Sequence, residues 1–166
     1  NYLYGVVNSP TYRRRYAELL KLDFPRVPIP NSPALFHQLA TTGEQLVSTH
    51  LLEGASQPRM AKVVAAPSAP IGTPTWHAGA LYADAADVTS SSSPIVENMP
   101  EEVWQFRLGG YQVLHKWLKD RRGQTLTRED LLHLARVADA LGSTIALMDE
   151  VDEAIERHGG WPVAFT

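Results

Sequence analysis

Apolar positions recur at helical steps near both ends of the chain and lose that period in the middle. Ser9-Pro10 predicts a helix start, with Ser as N-cap and Pro at the first helical position, where its missing N–H costs nothing. From Pro10 to about Leu20, Tyr12, Tyr16, Leu19 and Leu20 share one face, and Arg13, Arg14 and Arg15 mostly fall off it. Pro25, Pro28 and Pro30 force the stretch from Phe24 to Pro30 to be extended. Ser32-Pro33 repeats the start signal. Leu35, Phe36, Leu39, Ala40, Leu46, Val47 and Leu51 then predict a helix to about Leu52. Gly43 within it marks a close approach by another element, and Gly54 is the stop.

From Ala55 to Asn98, Pro, Ser, Gly and Ala are common and the helical period is gone. Met60 to Ala65, Ala80 to Ala83 and Ser93 to Asn98 are short strand candidates. The run from Ser90 to Ser93 reads as a loop or hairpin tip. Pro100 to Trp104 predicts a short helical turn with acids near its start. Gly109-Gly110 reads as a hinge or tight approach. Tyr111 to Arg122 predicts a helix with Tyr111, Leu114, Trp117 and Leu118 on one side, ended by Gly123. Thr127 and Asp130 fit a capping box, opening a long helix from Arg128 to about His158. Leu131, Leu134, Ala138, Leu141, Ile145, Met148 and Ile155 form its packing seam, which Asp152 interrupts once. The expected class is α+β, predominantly helical with a small irregular β insert in the middle: helical over 1–54, a variable β/loop insert over 55–98, helical over 99–166.

Composition narrows the function. The chain has 166 residues, 44% hydrophobic and 20% charged, about one soluble domain's worth. No run of about 18 apolar residues predicts a membrane span, so no membrane partner is expected. The absence of Cys excludes disulfide scaffolds, Cys-ligated zinc, iron–sulfur clusters and thiol catalysis. The opening Asn1 to Val7 lacks a starting Met and reads as the inside of an element, so a fragment of a larger polypeptide is expected. Net charge is −3, but three Arg or Lys face eight acids from Arg128 onward, against twelve and ten before it. An acidic C-terminal helix therefore masks a mildly basic remainder.

Candidate chemistry is sparse. His37, His50, His77, His115, His133 and His158 include no i, i+4 pair of the zinc-helix kind. GxSxG, GxxxxGK[ST] and GxGxxG are all missing. Asp149, Glu150, Asp152, Glu153 and Glu156 read most simply as a solvated helix face. No catalytic, cofactor or metal residue is expected. Two basic groups stand out: Arg13-Arg14-Arg15, and Lys116, Lys119, Arg121 and Arg122 at a helix end, with Arg59 and Lys62 flanking the insert. Helix-borne Lys and Arg can neutralise phosphates. Cations near a helix C-terminus also complement its dipole, and both readings stay open. The DNA-binding candidates are Arg13, Arg14, Arg59, Lys62, Lys116, Lys119, Arg121 and Arg122. Trp104, Phe106, Tyr111 and Trp117 read as core rather than as stacking platforms.

The string from Pro100 to Arg121, with its VWxFxxGGYxVxxKWLKDR pattern, resembles the C-terminal specificity region of type ISP restriction–modification enzymes and related adenine-specific DNA methyltransferases. Tyr2 to Pro10, Tyr12 to Ala17, Phe24 to Pro30, Thr144 to Asp152 and Gly159 to Pro162 are similar to the same family. At Gln124 the family pattern has a basic residue. The resemblance implies a target-recognition module for double-stranded DNA in a cytoplasmic bacterial enzyme. S-adenosylmethionine and the [N/D]PP[Y/F] motif would belong to an upstream methyltransferase domain of the same polypeptide; this chain has no Pro-Pro pair. The 55–98 insert would be the part that varies with target sequence. The alternative is a helical interaction scaffold, its Leu131 to Ile155 seam docking the parent enzyme's domains or subunits without DNA contacts of its own.

Overall fold

Ser9 begins a helix as its position dictates: its Oγ accepts the Tyr12 N–H at 2.9 Å. This is seen in a computed structural model, which describes residues 1–54, 57–89 and 92–165. Half of the serine run, Ser90 and Ser91, lies outside the described residues. The chain divides into two compact units, one of residues 1–53 and 143–166 and one of residues 54–142.

In the first unit, α1 (Tyr2–Asn8) leads into α2 (Pro10–Arg15), α3 (Ala17–Leu20) and α4 (Pro33–His50). The single helix expected from Pro10 to Leu20 breaks at Tyr16, whose φ of −107° and ψ of 19° turn its ring toward Tyr12 and Trp161. The segment from Phe24 to Pro30 forms no regular element, as its prolines require. Gly43 and Gly5 let α1 and α4 touch backbone to backbone. A Cβ on Gly5 would stand 2.5 Å from the Leu39 carbonyl oxygen, and one on Gly43 would overlap the Asn1 carbonyl. Val6, Tyr12, Leu35, Leu39 and Leu46 form the core with Val151, Ala154, Ile155 and Ala164. Leu51 lies past the end of α4 and is exposed, so it leaves the predicted stripe.

In the second unit, β1 (Lys62–Val63), β2 (Thr75–His77), β3 (Ala80–Tyr82) and β4 (Val96–Glu97) pair antiparallel in the order β1-β4-β3-β2. Three strands fall inside the predicted windows; β2 and α5 (Ala85–Thr89) carry no clear sequence signal. Leu81 faces Val96 in the register and both are fully buried. The Asp139 carboxylate accepts the N–H groups of Arg59, Met60 and Ala61 and so fixes the chain entering β1.

After α6 (Glu101–Gln105) the structure departs from the predicted helix. Residues Tyr111 and Gln112 form β6 (Tyr111–Gln112), paired with β5 (Arg107–Leu108), and the helix α7 (Val113–Lys119) starts later. Gly109, at φ +60°, and Gly110 make the two-residue loop that a tight hairpin needs. Tyr111 is consequently exposed rather than core; Trp104 is buried, and Phe106 and Trp117 are half-buried.

The helix α8 (Arg128–Arg157) opens with the expected capping box. Asp130 accepts the Thr127 N–H and hydroxyl at 2.8 and 2.6 Å, and Thr127 Oγ1 accepts the Asp130 N–H at 3.2 Å. Its seam is largely consumed inside the chain: Leu131, Leu134 and Ala138 are buried in one unit and Ile155 in the other. By length and hydropathy α8 could cross a membrane, but burial of these side chains is what a core helix requires. Asp152 interrupts the seam because its carboxylate receives the Ser9 and Thr11 hydroxyls and the Thr11 N–H. It is therefore not part of a solvated acidic face.

Candidate nucleic-acid interface

The α7 sequence Val113-Leu114-His115-Lys116-Trp117-Leu118-Lys119 buries Leu114 and Leu118. Helical spacing then sends Lys116 and Lys119 to the exposed side, and Arg122 follows at the next three-residue step in the turn after the helix. Lys116 Nζ pairs with Asp120 at 2.7 Å and lies 5.6 Å from the Tyr111 ring centroid. That ion pair is exposed, so exchanging it for another anion costs little. Arg121 is held differently. Its guanidinium carbon sits 3.6 Å over the Trp117 ring, and Nη1 donates to the Trp117 carbonyl at 3.0 Å. The stack orients the guanidinium against an aromatic face while leaving most of its donors unused.

From Val103 to Arg128 the chain carries six Arg or Lys and a single acid, Asp120. That segment is strongly cationic in a chain whose net charge is −3. Arg107, on the hairpin, belongs to it and is exposed. The sequence reading missed Arg107 and set Tyr111 on a helix. The signal for both is Gly109-Gly110 between two short β-prone pairs, which marks a hairpin.

Of the remaining candidates in this unit, Lys62 is exposed and faces Glu97 across the β1–β4 register, Nζ to Oε2 at 3.5 Å. Arg59 is exposed at the turn that Asp139 clamps. Asp84 ties the loop before β2 to α5, accepting the Thr73 and Ala86 N–H groups at 2.9 Å each. Those bonds, with a smaller contribution from the Arg122 charge, hold its carboxyl below the usual Asp value.

Arg13 and Arg14 belong to the other unit. The Arg13 guanidinium is half-buried and committed: Nε donates to the Val7 carbonyl at 2.7 Å and Nη2 to Asn8 Oδ1 at 2.6 Å. Burial pushes its pKa down. Arg14 is exposed and donates to Thr11 Oγ1 at 2.9 Å. His50 joins Tyr4 (2.6 Å) to Thr144 (3.0 Å), and burial lowers its pKa. Among the described residues no group of three or more His, Asp or Glu could hold a metal ion.

The exposed cations of α7 and of the turn after it are chemistry suited to a polyanion. The model of the type ISP C-terminal specificity domain matches residues 1–150, and the chain belongs to that family. No curated protein matches the sequence. The fold is shared with solved structures, among them these three. A nuclease-deletion mutant of the type ISP restriction–modification enzyme LlaGI in complex with a DNA substrate mimic is 18% identical, with a TM-score of 0.60 over 92% of this chain and 13% of its own. The ATP-dependent type ISP enzyme LlaBIII bound to DNA is 15% identical, with a TM-score of 0.59 over 92% of this chain and 11% of its own. A DrdV–DNA complex is 22% identical, with a TM-score of 0.53 over 94% of this chain and 17% of its own. The chain thus spans less than a fifth of each of those proteins.

Proposed function

We propose that the chain is the sequence-reading module of a bacterial, cytoplasmic type ISP restriction–modification enzyme and binds double-stranded DNA. The observation that carries this is the cationic segment from Val103 to Arg128, with Lys116, Lys119 and Arg122 exposed along one side of α7 and the turn after it. It supplies the phosphate neutralisation that duplex binding needs, and membership of the specificity-domain family supports the same assignment. Lys116, Lys119, Arg121 and Arg122 are the phosphate contacts in this reading. Arg59 and Lys62 stand near the start of the 55–98 insert, whose side chains read base edges. Arg14 is a further cation in the other unit, and Arg13 is the weakest of the candidates because both its bonds are internal.

Methyl transfer from S-adenosylmethionine to adenine, with the base extrusion it requires, and any cleavage belong to other domains of the polypeptide. The scaffold alternative loses its main support, since most of the α8 seam is buried within this chain. Selection from a random duplex pool with the purified chain, repeated over a salt series, tests the reading. One enriched motif with affinity falling steeply as salt rises is the expected outcome. Retention that ignores salt, or none at low salt, sinks it.

A further inference from the structure

The β5–β6 hairpin exposes two large side chains that the fold does not use. Leu108 and Tyr111 are direct cross-strand partners on either side of the Gly109-Gly110 loop, so they point to the same face of the ribbon. They are 62% and 64% exposed. The adjacent pair, Arg107 and Gln112, points the other way. Gln112 there is half-buried and its Nε2 donates to the Trp104 carbonyl at 2.6 Å, which pins that face to the body of the unit. The Leu108/Tyr111 face is therefore the outward one. A Cβ at Gly109 or Gly110 would meet nothing, so the tip also stands clear.

The surroundings state which partner such a face suits. Lys116 lies against the Tyr111 ring, with Lys119 one turn further on. Six cations and one acid occupy this segment. An apolar pair rimmed by cations complements a polyanion whose interior is apolar: stacked bases between two rows of phosphates. A two-stranded ribbon fits the major groove, and inserted apolar side chains contact or part base steps in the minor groove.

We propose that the β5–β6 hairpin enters a groove of duplex DNA, with Leu108 and Tyr111 against the bases or sugars and Lys116 on a flanking phosphate. This rests on the DNA-reading function proposed above. The test uses the whole chain and labelled duplexes of random sequence, with affinity followed across a salt series. Replacing both Leu108→Ala and Tyr111→Ala is expected to weaken binding by about ten- to hundredfold, the range of losing one or two aromatic or apolar base contacts. The salt slope is expected to stay unchanged, because no charge is removed. Tyr111→Phe keeps the ring and binds as the parent chain does.

A second measurement needs no variant. Nitration of the exposed Tyr111 ring in the parent chain, read by mass spectrometry at that position, is expected to be suppressed by added duplex. Unaltered affinity of the double variant together with unprotected Tyr111, in a parent chain that binds duplex, overturns the hairpin assignment alone. A change in salt slope with no loss of affinity at high salt also overturns it. No retention of duplex by the parent chain at low salt overturns the DNA-reading function, and this assignment with it.

Discussion

The Asp152 carboxylate accepts both the backbone N–H and the hydroxyl of Thr11, at 3.0 and 2.6 Å, across 141 residues of sequence. The Ser9 hydroxyl donates to the same carboxylate while accepting the Tyr12 N–H. One side chain on α8 thus completes the N-terminus of α2, where unpaired N–H groups and the helix dipole both favour an anion. Asp152→Ala strands these donors and is expected to destabilise the chain by about 1–3 kcal/mol. Asp152→Asn, which keeps an acceptor, is expected to cost less. Urea unfolding followed by circular dichroism checks both, and a wild-type midpoint for the Ala variant refutes the cap.

Two helical glycines are expected to respond to alanine with opposite signs. At Gly43 the added Cβ meets backbone, overlapping the Asn1 carbonyl oxygen and standing 2.8 Å from the Gly5 nitrogen. Neither can move without separating α1 from α4, so Gly43→Ala should cost about 1–3 kcal/mol through overpacking. At Gly142 the nearest atoms are Met60 and Val103 side chains at 3.6 Å, an ordinary contact. Gly142→Ala should then gain up to about 1 kcal/mol of helix propensity. Thermal melts are expected to move down for the first and up for the second.

Asp84 gives the chain an acid-sensitive joint. Its folded-state pKa is depressed by the Ala86 and Thr73 N–H groups. The folded chain therefore binds fewer protons at this site than the unfolded chain in acid. The stabilisation is complete above the ordinary Asp pKa of about 3.9 and is lost as the pH falls through the lower folded value. Asp84→Asn should accordingly flatten the loss of thermal stability below about pH 4. Asp130, depressed by its bonds from Thr127, has the same sign and leaves part of the acid limb in place. A melting-temperature profile from neutral pH to pH 2 in which Asp84→Asn parallels the wild type removes Asp84 from this role.

Helix starts could be read from the residue string because their chemistry is local. Ser9-Pro10, Ser32-Pro33 and Thr127 with Asp130 each complete a cap within three residues. Asp139 and Asp152 could not be read, since their partners lie 78 or more residues away and an isolated carboxylate on a helix looks solvated. Helical periodicity misplaces Tyr111 for a different reason. It sits three positions before Leu114 and fits the helical period, while the Gly-Gly loop that sends it outward acts on backbone conformation. The cations of the candidate interface are visible by type and spacing. Which of them are free depends on carbonyls and carboxyls that only the folded chain brings near.

Arg13 and Lys119 separate a structural cation from a free one. Arg13 spends its guanidinium on the Val7 carbonyl and on Asn8, itself buried. Lys119 is exposed in the last turn of α7. Arg13→Ala is expected to lower stability by about 1–3 kcal/mol, because it leaves those acceptors unsatisfied. It should leave the salt dependence of duplex binding unchanged under conditions where the variant is folded. Lys119→Ala is expected to leave the melting temperature unchanged and to reduce the log–log salt slope by about 0.9, the value for one neutralised phosphate. Arg122→Ala should act on the slope in the same way. Melting curves and anisotropy titrations on the three variants decide the matter. If Arg13→Ala changes the slope and Lys119→Ala does not, the phosphate contacts lie on α2 and the α7 assignment fails.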